Sequence, residues 1–94
     1  MAATFARQGS VLPLGDHKLQ IIKATLTAVT EGNITTDDHG FSNILFAVAV
    51  NQTTVDDVGL CTANVDKDSA AAIGTVGLSG FTSGDVVDVL IIGN

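Results

Sequence analysis

The stretch Lys18–Thr30 reads KLQIIKATLTAVT, and its alternation decides the fold class. Ile22, Ala24, Leu26 and Ala28 fall on one side of an extended chain, while Lys23, Thr25 and Thr27 fall on the other. Successive side chains of a strand point to opposite faces, so a period of two predicts a strand with one buried face and one polar face. Val and Thr recur through the sequence, and both favour pleated backbone because branching at Cβ restricts χ1 in a helix. Glu, a strong helix former, occurs once, at Glu31.

Asn43–Asn51 (NILFAVAVN) is the most apolar segment. Ile44, Phe46, Val48 and Val50 face one way, and Leu45, Ala47 and Ala49 the other. Both faces are apolar, so both are expected to be covered, with Phe46 in the core and one covering surface supplied by another chain. Further strands are expected over Val58–Val65, Ile73–Leu78 and Asp85–Ile92, the last apolar at Val87, Val89 and Ile91. Turns are expected at Glu31-Gly32-Asn33, Asp56-Asp57 and Ser79–Gly84. Ile34–Phe41 reads as a loop or short edge strand, and Ala70–Ala72 as one helical turn. The rhythm is that of an all-β fold: a small antiparallel β-sandwich or barrel of five to six strands. Residues 1–15 read as an N-terminal arm, because Gly9, Pro13 and Gly15 interrupt any long strand, and residues 16–94 as a single β domain.

A chain of 94 residues gives one domain with a thin stability margin. Such domains lean on disulfides, metals or assembly. Cys61 is the sole cysteine, which excludes an internal disulfide. Charged residues make up 15% of the chain, against about 25% in ordinary domains, while 46% is hydrophobic. That balance points to assembly with other protein surfaces. Ten acids against four bases, net −6, argue against nucleic acid and against an anionic membrane surface. Arg7, Lys18, Lys23 and Lys67 are scattered along the chain. The start, MAATFARQGSVLPLG, has no basic segment followed by an apolar one, so a secretory leader is not expected.

Candidate chemistry is sparse. No serine lies in a Gly-x-Ser-x-Gly elbow. Asp16 and His17 are strand neighbours and point apart. Cys61, mid-strand between Leu60 and Thr62, reads as a structural thiol. Asp37, Asp38 and His39, with Asp56 and Asp57, are the one pattern that suits calcium in loops of a β-module. Paired aspartates are equally good turn formers, and no Asp-x-Asp-x-Asp-Gly run is present. No enzyme activity, cofactor or metal is expected. A soluble calcium- or ligand-binding β-module is the alternative reading.

The segments GDHKLQIIKATLTAVTEG (15–32), DDHGFSNILFAVAVNQTT (37–54) and SGDVVDVLIIGN (83–94) resemble small β-rich structural proteins of tailed bacteriophages, above all the head decoration or cement proteins. The likeness spans the chain as one of character, without a diagnostic motif, so no residue role is carried over. It implies a virion protein on the capsid surface, made in the host cytoplasm. Its implied partner is the major capsid protein or another virion protein, bound as a homo-oligomer with a trimer favoured. The apolar side chains Phe5, Val11, Leu12 and Leu14 of the arm, with Leu45, are the expected assembly contacts.

Overall fold

Alternating segments with one apolar face can fold only by burying that face, and here two sheets bury theirs against each other. The computed structural model describes residues 3–54 and 59–94. The expected turn at Asp56-Asp57 and the first residue of the strand expected over Val58–Val65 lie outside the described residues. In chain order the elements are β1 (Ala3–Arg7), β2 (Leu12–Leu14), β3 (His17–Leu26), β4 (Gly32–Ile34), α1 (Thr36–His39), β5 (Ile44–Asn51), β6 (Leu60–Val65), β7 (Ala71–Ser79) and β8 (Val86–Gly93). The larger sheet runs β1-β3-β8-β5, with β2 also paired to β3; the smaller runs β4-β7-β6. Every pairing is antiparallel. The all-β antiparallel expectation therefore holds, with eight strands among the described residues where five to six were expected.

The difference in number comes from short pieces. β1 and β2 occupy the expected arm, and both lie along one edge of β3: Phe5 pairs with Ala24, and Leu12 with Leu19. Gly9 and Gly15, both at positive φ, divide the two pieces and turn β2 back into β3. Pro13 sits in an edge strand, where its missing N–H costs no ladder bond. The expected turn at 31–33 is instead β4, whose Asn33 pairs with Gly77. Ala71 and Ala72 open β7 and form no helical turn.

The core sits between the sheets. Ile22, Ala24 and Leu26 of β3 and Val87, Val89 and Ile91 of β8 are fully buried against Ile34, Val76 and Leu78. Phe41, Ile44 and Phe81 complete the cluster. Gly59, at φ 62°, lies against the Phe81 ring, and any Cβ there would drive into it. The strand predicted to run to Thr30 ends at Leu26, and Ala28, at φ 59°, turns the chain.

Candidate functional site

The register across the larger sheet fixes what its outer face presents. Paired residues of antiparallel strands project on the same side. Gln20, Ile22, Ala24 and Leu26 point inward, so Leu19, Ile21, Lys23 and Thr25 point outward. Leu12 pairs with Leu19, Leu19 with Ile92 and Ile92 with Phe46, giving one unbroken apolar row across four strands. The next row is Ile21–Leu90–Val48. Beyond it lie Ala6–Lys23–Asp88–Val50 and then Thr4–Thr25–Val86.

Phe46 is 52% exposed, Val48 42%, Val50 55% and Leu12 55%. An antiparallel sheet with one solvated face ordinarily alternates apolar-in and polar-out. Here the alternation of burial is kept while the alternation of chemistry is lost. A shallow groove of about 240 Å³, lined by Ile21, Val48, Val50, Gln52, Asp88 and Leu90, lies on this face. The Gln52 side-chain amide donates to Asp88 Oδ2 at 3.1 Å along its polar margin.

The expectation that Phe46 belongs to the core is corrected. Ala47 and Ala49 pack against the core, whereas Phe46, Val48 and Val50 turn outward. The reason is a register irregularity between Ile44 and Phe46. It places Ile44 inside and Phe46 outside, although the two are an even number of residues apart, and leaves Leu45 exposed at the irregular step. Of the other expected contacts, Leu12 and Leu14 are exposed on the outer face. Phe5 faces inward, with its ring over Gly32, and Val11 packs partly buried against the core. Leu19, Ile21, Leu90 and Ile92 were not anticipated on this face. The doublet Ile21-Ile22 and the run Val89–Ile92 were the available signal, because unbroken apolar runs put apolar side chains on both faces.

The polar groups close to the core serve the scaffold. Asn64, at φ 61°, bridges the two sheets through its side-chain amide. Its Oδ1 accepts from the backbone N–H groups of Ile44 (3.2 Å) and Gly74 (3.0 Å), and its Nδ2 donates to the Ile44 carbonyl at 2.8 Å. The Asp85 carboxylate, buried, accepts from the Asn51 amide, the Thr54 hydroxyl and the Thr82 backbone N–H, each at 2.9 Å.

The segment 34–41, expected as loop or edge strand, holds the end of β4 and the single-turn α1. The Asp38 carboxylate accepts from the Thr35 backbone N–H at 2.9 Å, and Gly40, at φ 83°, closes the turn. Arg7 Nε donates to the Asp38 carbonyl at 2.7 Å, tying β1 to this turn. His39 points the other way, into the protein. Its Nδ1 accepts from the Phe41 N–H at 2.9 Å, which places the proton on Nε2, and Nε2 donates to the Gly74 carbonyl at 2.6 Å. Burial holds the imidazole below its ordinary pKa, against the opposing pull of the Gly74 carbonyl and Asp38. Asp38 and His39 are thus committed to different neighbours and do not converge. Among the described residues no three His, Cys, Asp or Glu side chains are grouped to hold a metal ion. Cys61 is half-buried, and desolvation pushes its thiol up to about 11, which leaves little thiolate at neutral pH.

No protein-family model, curated protein or solved structure matches the chain.

Proposed function

We propose that this chain is a non-enzymatic structural protein of a virion, a capsid decoration or cement protein that stabilises the shell as repeated copies. The observation that carries the assembly part is the outer face of the larger sheet, where two adjacent rows of large apolar side chains lie at the surface, exposed at Leu12, Phe46 and Val48 and half-buried at Leu19, Ile21, Leu90 and Ile92. Contiguous apolar patches beyond a few hundred Å² on a folded protein mark contact surfaces. The placement on a capsid rests on the resemblance of the sequence to decoration proteins. A lattice of many copies suits a small domain, because weak individual contacts add through multivalency.

Sedimentation with purified capsids of the phage that encodes the chain tests this reading. The expected result is co-pelleting at saturable, lattice-limited occupancy and a raised thermal disruption temperature of the capsids. A chain that stays in the supernatant over the micromolar range overturns it.

A further inference from the structure

Resting on the reading of the outer face as a contact surface, we infer that its occupant is a second copy of this chain, docked face to face about a two-fold axis running along the strands between β3 and β8. The rows on this face have a particular symmetry. A rotation about that axis sets β3 of one copy over β8 of the other and maps each row onto itself. Ile21 then meets Leu90 of the second copy, Leu19 meets Ile92, and Leu12 meets Phe46. In the following row Lys23 meets Asp88, and the same contact occurs twice. An isologous interface requires this kind of self-complementarity, in which residue i meets j and j meets i.

Charge and area agree with that occupant. The chain carries net −6, which opposes self-association in general. In these four rows, however, Asp88 is the sole carboxylate and Lys23 stands beside it in the register. Two copies therefore meet through a locally neutral face, and a strongly basic partner would find little to pair with there. Four strands at about 4.8 Å spacing and four rows about 7 Å apart give a face of roughly 400–500 Å². Two such faces come to roughly 800–1,000 Å² in all, the size of a weak, transient interface rather than a permanent one. The expected dimer accordingly dissociates in the micromolar range.

Sedimentation-velocity centrifugation from about 1 to 100 μM reads the state directly, with three variants of the full chain. Val48→Asp, in the exposed part of the second row, should abolish the dimer while leaving the monomer folded. Lys23→Asp and Asp88→Lys should each weaken self-association at least tenfold, because like charges then face each other twice. Mixing Lys23→Asp with Asp88→Lys should restore a dimer containing one of each, since both cross-contacts become opposite in sign. Circular dichroism on each variant separates loss of assembly from loss of fold.

A monomer throughout, a trimer, or a dimer indifferent to the charge variants and their mixture overturns the inference. A monomer that still pellets with capsids overturns the inference alone. A two-fold dimer that does not bind capsids overturns the virion reading alone.

Discussion

The two faces of the larger sheet are built from nearly the same residue types and meet opposite fates. In β8, Val87, Val89 and Ile91 are fully buried, while Leu90 and Ile92, one step along the chain, lie on the outer side. The inner residues are covered because the smaller sheet, with Ile34, Val76 and Leu78, lies over them. The outer residues have no such layer within the described residues. Hydrophobicity therefore does not by itself say where a side chain sits. A strand with two apolar faces in a domain with two layers has one face left over, and that face is available for assembly.

Substitutions that truncate the two faces should separate sharply. Ile91→Ala removes a fully buried side chain from a packed interior and should cost about 2–5 kcal/mol in chemical denaturation, through lost transfer energy and the cavity left behind. The joint between the sheets comes next. Asn64→Ala leaves the Ile44 N–H and carbonyl and the Gly74 N–H without their partner, and should cost about 2–3 kcal/mol by the same measurement. A loss below about 0.5 kcal/mol would show that water replaces the side chain at little cost.

The His39 joint should be visible as a pH dependence. Its pKa is lowered in the fold, so the unfolded chain binds the proton more readily. The stability it contributes is complete above the unfolded value of about 6.5 and is lost as pH falls from there toward the folded value. Urea midpoints should therefore drop between pH 7.5 and pH 5, and a His39→Gln variant, though less stable at neutral pH, should show a flatter profile. Equal slopes for the two proteins would remove His39 as the cause.

The smallest effect belongs to the outer face. Val50→Ala, at a 55% exposed position and measured in dilute solution where copies are apart, should change stability by about 0.5 kcal/mol or less, as surface positions do. A cost comparable to that of Ile91→Ala would mean that the outer face is covered within a single chain, and would break the comparison.

Much of the architecture was legible in the sequence, for local reasons. Period-two patterning gave β3, β5 and β8 and the inward positions Ile22, Ala24, Leu26, Val87, Val89 and Ile91. It failed where pairing with a distant segment sets the conformation. β1 and β2 are strands because β3 offers them a free edge, and nothing in Ala3–Leu14 requires it. Asp37-Asp38-His39 looked like one cluster because the residues are adjacent in sequence. One helical turn sends Asp38 to its own N-terminus and His39 into the core.

The sequence alone determined that the chain is β, acidic, free of internal disulfides and poorer in charged residues than an ordinary domain. Those follow from composition and from the side-chain period of a strand, which are properties of neighbours along the chain. Only the tertiary structure decided which apolar residues remain outside. The irregular register between Ile44 and Phe46 turns Phe46, Val48 and Val50 away from the core, and the alignment of β2, β3, β8 and β5 gathers their outward residues into rows. Register is a relation between segments far apart in sequence, and a shift of one residue exchanges the two faces of a strand.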